Sequence, residues 1–204
     1  MSSTAKKHRR LPDFFIGLGI LCFTAAGIIL LLTFFPVITE EIKYTVNHQL
    51  QITNYELKPV DTNFGIVIPK IGANAKVIDN INPFNEREYQ IALTKGVAHA
   101  RNTSYPGRAG NTFIFAHSSA NWYEANRYNS VFYLLTKLET GDQIFLYYQG
   151  KKYVYTVTDK RIVDATAVGY LQKGTGNSTV TLMTCWPPGT TLKRLIVSAK
   201  ITPN

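Results

Sequence analysis

Thr181-Leu182-Met183-Thr184-Cys185-Trp186-Pro187-Pro188-Gly189, with Lys193-Arg194-Leu195-Ile196-Val197 close behind it, is the stretch on which the fold turns. Residues 179–185 alternate with period two: Val180 and Leu182 fall on one face of a strand, Thr181, Met183 and Cys185 on the other. Pro-Pro-Gly cannot continue a ladder, and residues 193–201 resume the alternation with Leu195, Val197, Ala199 and Ile201 on the apolar face and Arg194 opposite. If the two strands pair as a hairpin, the thiol and the guanidinium share an end and a face. That is a sulfur nucleophile beside a fixed positive charge.

Free cysteine is among the most buried residue types, so spacing alone leaves Cys185 open as either a small core residue or a nucleophile. A disulfide is excluded on placement, because the one other cysteine, Cys22, sits in a long apolar segment near the N-terminus. Four histidines compete as its partner. His8 lies in a basic tail and His48 in a polar-apolar stalk. His99 sits in Gly96-Val97-Ala98-His99-Ala100 beside a turn-rich loop. His117 ends the apolar strand 112–116 and is followed by Ser118-Ser119-Ala120, which puts an imidazole where the chain leaves the core. A histidine at a strand end is commonly just a hydrogen-bonded surface residue.

Thr-Leu-x-Thr-Cys, a turn, and an arginine nine residues on resemble the active-site signature of the sortases. Gly110-Asn111-Thr112-Phe113-Ile114-Phe115-Ala116-His117 is similar to the sortase strand that delivers the catalytic histidine. The likeness covers residues 62–202, with its motifs in the family order. It implies a closed eight-stranded β-barrel with short helices and a catalytic groove on its outer face, and it implies His117, Cys185 and Arg194 as catalytic residues. In the family a histidine at the position of His99 is common without being the catalytic one.

The chemistry explains why these three types are needed. Attack on an amide carbonyl requires a thiolate, and a thiol of ordinary pKa, ~8.5, is only a few per cent ionised near neutrality. An imidazole, with a reference pKa of ~6.5, can protonate a departing amine and deprotonate an incoming one. Arginine cannot transfer protons at any working pH, so Arg194 is cast as a donor fork at the oxyanion or the substrate backbone, where one contact typically contributes ~3 kcal/mol. Thr184, Trp186 and Trp122 are candidate substrate-binding residues; a threonine before the nucleophile equally suits a strand, and Trp122, Tyr123 and Tyr128 equally suit a cover over one barrel end. No Cys-x-x-Cys, His-x-x-x-His or spaced Asp loop points to a metal, and no cofactor is implied.

The 204 residues are 17% charged and 45% hydrophobic, which suits one compact domain plus an appendage. Phe14 to Phe35 contains no charged residue, and its 22 positions match a bilayer core as a helix. Lys6, Lys7, Arg9 and Arg10 precede it against a single Asp13, so the positive-inside bias predicts a single-pass anchor with a cytoplasmic N-terminus and an exported domain. A cleavable signal peptide fits less well, because the apolar run is too long and Phe34-Phe35-Pro36 is a poor cleavage site. The expected organisation is a basic tail (1–13), a membrane helix (14–35), a stalk and linker (36–61) and a catalytic domain (62–204). Net charge is +9, of which residues 1–13 hold +3; the remaining cations are scattered, which excludes nucleic acid and suits anionic wall polymers or lipid head groups.

From residue 64 on, seven short strands are predicted: 65–69, 75–79, 112–116, 143–148, 153–163, 179–185 and 194–201, with short helices at 85–93, 130–138 and 165–172 and a hairpin turn at Gln149-Gly150. The resemblance implies a membrane-bound cysteine transpeptidase. Its substrates would be exported proteins bearing a C-terminal signal like Leu-Pro-any-Thr-Gly, its intermediate a thioester, and its acceptor an amine of a cell-wall precursor or a pilin lysine. The end of the chain just after the last strand and the lack of an Asp-Pro-aromatic lid in residues 52–63 favour the wall. Two other readings stand: a thiol endopeptidase that lets water resolve the acyl-enzyme, and a non-catalytic wall-binding scaffold.

Overall fold

The alternation of residues 179–185 and 194–201 becomes two nine-residue strands in a computed structural model, described over residues 11–49, 57–118, 131–171 and 176–203. In chain order the elements are α1 (Leu11–Gln49), β1 (Phe64–Ile68), β2 (Ala73–Ile81), α2 (Glu86–Leu93), β3 (Val97–Ala100), β4 (Gly110–Phe115), β5 (Gln143–Tyr148), β6 (Lys151–Asp164), β7 (Ser178–Trp186) and β8 (Lys193–Ile201). The eight strands close into a barrel in the order β1-β2-β3-β4-β7-β8-β6-β5. β2–β3 and β4–β7 are parallel; the remaining pairs are antiparallel. Closure pairs every edge, and a barrel of eight strands is just narrow enough for side chains to fill. Ile66, Ile144, Leu146, Val157, Val180 and Leu182 do so, each fully buried.

The chain divides into two compact units after Phe35. In the first, Phe14–Leu31 of α1 is long and apolar enough to cross a membrane, and its side chains are exposed.

Local chemistry sets the strand ends. The Asp61 carboxylate accepts from the backbone N–H of Asn63 at 2.7 Å and of Phe64 at 3.3 Å, which starts β1. Partial burial pushes that carboxyl up, but the two backbone bonds and Lys76 outweigh it and hold it below the usual carboxylate value. Gly65 follows because a Cβ there would collide with the Asp61 carbonyl. Between β5 and β6, Gln149 (φ 50°) and Gly150 (φ 76°) form the expected two-residue turn with both φ positive.

Two local expectations need correction. β3 lies in a stretch read as adjoining a loop. Its Val-Ala-His-Ala is buried on every residue between a parallel and an antiparallel neighbour, so it carries no alternation to read. The segments read as helices at 130–138 and 165–172 contain 3₁₀ turns at Tyr133–Lys137 and Val168–Leu171, pieces too short to sustain an α-helix.

Candidate active site

Strand register builds the site. Across the parallel pair, Phe113 faces Thr181 and Phe115 faces Met183. Across the antiparallel pair, Thr181 faces Ser198, Met183 faces Ile196 and Cys185 faces Arg194. Side chains alternate along a strand, so these residues form successive rows on one face of the sheet, opposite to Val180, Leu182 and Leu195. β4 ends at Phe115, but the chain stays alongside β7: the Ala116 N–H donates to the Met183 carbonyl at 3.1 Å, and the Thr184 hydroxyl donates to the Ala116 carbonyl at 2.9 Å. His117 is the next position, outside β4, and continued parity would carry it toward the Cys185–Arg194 pair. Neighbouring strands lie ~4.8 Å apart, so the thiol of Cys185 and the guanidinium of Arg194, facing each other across β7 and β8, can reach one small reacting group.

His117, Cys185 and Arg194 are each half-buried. In the rows before the Cys185–Arg194 pair, Phe113, Phe115, Thr181 and Ile196 are buried and Met183 and Ser198 half-buried. Arg194 donates through Nη1 to the carbonyls of Thr191 and Lys193, both at 3.0 Å, so its fork is tied to the loop that replaces the ladder after Pro187. Three N–H donors on Nε and Nη2 remain for a bound oxygen. Trp186 is half-buried and packs against the core beside Cys185. Thr184 is buried, with its hydroxyl proton engaged by Ala116. Trp122 lies outside the described residues, as do Tyr123 and Tyr128.

His99 is in a different environment. It is buried, with Nδ1 2.8 Å from Asp79 and Nε2 within hydrogen-bond distance of the Thr103 hydroxyl and the Ser104 carbonyl. That network ties β2, β3 and the following loop together. Asn111, quoted above in the histidine strand, works as a splice: its amide donates to the Tyr170 carbonyl and accepts from the hydroxyls of Thr179 and Thr181.

Helix α2 brings two residues that sequence reading did not single out. Tyr89 packs edge-on against Phe115, with ring centres 6.2 Å apart. Burial pushes its hydroxyl above the usual tyrosine pKa, helped by Glu86 and Cys185 and opposed by Arg194 and by a hydrogen bond from Gln90, so this hydroxyl shares its surroundings with the Cys185–Arg194 pair. Gln90 places Oε1 3.1 Å from Nε2 of His117. The helix over 85–93 was expected, and only its docking against β2 and β3 points these two side chains at the row. Among the described residues no group of His, Cys, Asp and Glu could hold a metal ion.

Comparison with known proteins identifies the family and the fold. The sortase domain model matches residues 66–202. Sortase D of Bacillus subtilis (strain 168) is 26% identical over 136 residues, 65% of this chain and 60% of the relative. Sortase A of Listeria monocytogenes is also 26% identical, over 67% of this chain and 54% of the relative, so the chain spans little more than half of each curated protein. Among solved structures, a pilus-related sortase C of Group B Streptococcus aligns with a TM-score of 0.59 and 27% identity, covering 72% of this chain and 70% of that one. Sortase C-1 of Actinomyces oris aligns with a TM-score of 0.59 and 26% identity over 81% and 86%. The chain belongs to the sortase family.

Proposed function

We propose that this protein is a membrane-anchored cysteine transpeptidase that cleaves a C-terminal sorting signal of exported proteins and transfers them to an amine. The observation that carries the reading is the pairing of Cys185 with Arg194 on neighbouring strands, with His117 two positions past the end of the strand that lies along the other side of β7. The Cys185 thiolate attacks the carbonyl of the residue before the scissile bond, resembling the Thr of Leu-Pro-any-Thr-Gly. Arg194 donates to the oxygen that becomes negative. Imidazolium at His117 gives its proton to the departing amine, the C–N bond breaks and a thioester remains. An incoming amine then loses a proton to neutral His117 as it displaces sulfur. Trp186 flanks the thiol and would contact the signal peptide, with Trp122 as a further contact. Thr184, buried on the opposite face and bonded to the Ala116 carbonyl, serves instead to hold the chain before His117 against β7. The exposed apolar helix 14–31 is the proposed anchor, with residues 62–204 outside the cell.

The acceptor we favour is a cell-wall precursor. A pilin lysine is the second reading, because the pilus-related sortase C of Group B Streptococcus is among the similar structures. Full-length protein in detergent, mixed with peptides ending in Leu-Pro-any-Thr-Gly variants and an added amine, should show by intact mass a covalent adduct lost in Cys185→Ala and an amine-linked product. A triglycine acceptor and a lysine-bearing peptide distinguish the two acceptors. Product that is hydrolysed regardless of amine would make it a thiol endopeptidase. Absence of an adduct on every peptide would sink the transpeptidase reading.

A further inference from the structure

The connection between β6 and β7 begins beside the candidate site and is tied down far from it. β6 finishes with Val163 opposite Arg194 and Asp164 opposite Lys193. A turn follows, closed by the Ala167 N–H donating to the Asp164 carbonyl at 3.0 Å, and then the 3₁₀ turn Val168–Leu171. By Tyr170 the chain has reached Asn111, whose Nδ2 donates to the Tyr170 carbonyl at 3.0 Å. Asn111 lies opposite Thr179, and the rows through Thr181 and Met183 separate that position from the Cys185–Arg194 pair. Residues 165–171 are therefore a strap that starts at the Arg194 end and crosses the sheet face carrying Cys185. Tyr170 and Leu171 pack against the core, and Phe113, Thr181 and Ile196 on the crossed face are buried.

Asn111 is built as a rigid donor for this strap. It is 6% exposed, so its bonds are made away from water. Its Oδ1 accepts from the hydroxyls of Thr181 at 3.0 Å and Thr179 at 3.3 Å, which leaves Nδ2 for the strap. The Tyr170 carbonyl can only accept, so the two ends of the amide cannot be exchanged. Losing a buried partner of this kind leaves the remaining group unpaired, and the strap gains by moving its carbonyl to water.

We propose that Asn111 is a positioning residue that latches the strap 165–171 across the sheet, so that the wall beside Arg194 is already formed when a signal peptide reaches Cys185. The inference rests on the transpeptidase reading. A wall ordered in advance spares the peptide the cost of ordering it on binding. The latch therefore acts on peptide binding, with the ground state and the transition state gaining alike, and its signature is in KM.

The test joins hydrogen exchange to acylation kinetics on the full chain in detergent, with peptides ending in Leu-Pro-any-Thr-Gly as the substrate. Asn111→Ala removes both ends of the amide. Asn111→Thr suits a strand and keeps a hydroxyl for Thr179 and Thr181, but it is one bond too short to hold the Tyr170 carbonyl. Both variants should speed exchange in 165–171 and raise KM, each about three- to tenfold, which is the worth of one hydrogen bond, with kcat and the exchange of β4 and β7 nearly unchanged. Thr181→Val cuts the other side of the splice, so it should lower the melting temperature while strap exchange and KM stay at wild-type values. Should Asn111→Ala fail to fold, Asn111→Thr decides alone. Unchanged strap exchange, a loosened strap with wild-type KM, or a fall in kcat at constant KM would each overturn the proposal. A wild-type chain that forms no adduct would instead sink the transpeptidase reading, and strap exchange still reports whether Asn111 is the latch.

Discussion

A single side chain decides whether the row is a catalyst or an accident of alternation. Arg194 donates through Nη1 to the carbonyls of Thr191 and Lys193, and in the proposed reaction the rest of its planar fork serves an oxygen in front of Cys185. Lysine keeps the charge but cannot hold a loop carbonyl and an oxyanion at fixed angles together. Arg194→Lys should therefore lower kcat/KM for peptide acylation by about a hundredfold or more, the usual loss for one oxyanion donor, with the melting temperature nearly unchanged. Near wild-type rates in both Arg194→Lys and Arg194→Ala would make it a surface cation. Substituting Cys185 with Ala should remove the adduct entirely, since no second thiol lies in the barrel unit.

At the scale of the element, Asp61 tests how a strand is started. Its ionised carboxylate holds two backbone N–H groups in the native state, and its pKa is held below the ordinary value. A depressed carboxylate stabilises the fold above its unfolded pKa, and that contribution disappears as pH falls through the folded one. Asp61→Ala should cost about 1 kcal/mol near neutrality, or about 2–4 °C in Tm, and the penalty should fade below about pH 4. Thermal melts at pH 7 and pH 3 give the comparison; an equal penalty at both would contradict it. The elements that could be read from the sequence were those whose two faces differ. β5, with its alternation and Gln149-Gly150 turn, was predicted with its observed ends, and the Cys185–Arg194 pairing followed from parity alone. β3 was invisible because burial on both faces erases the pattern. Gln90 and Tyr89 were invisible for another reason: nothing local in a short amphipathic helix says which strand end it will overlie.

For the whole molecule, residues 62–204 should behave as one exported unit. Protease added outside intact cells should remove that unit and leave a fragment containing the basic tail and 14–35 with the membrane; a mature protein starting after Phe35 would contradict the anchor. The parallel pairing of β4 with β7 has a further consequence. It joins Ala116 to Thr184 across 68 positions of chain, so the residues that follow them, His117 and Cys185, are brought to one end of the barrel by a long-range contact. A newly made or unravelled chain therefore carries Cys185, His117 and Arg194 apart, with none of the proposed machinery assembled. In the proposed reaction, activity must wait for the long-range closure of β4 on β7. Acyl-enzyme formation on an added signal peptide during refolding should begin only when native fluorescence returns, and until that moment the protein is safe company for every amide bond around it.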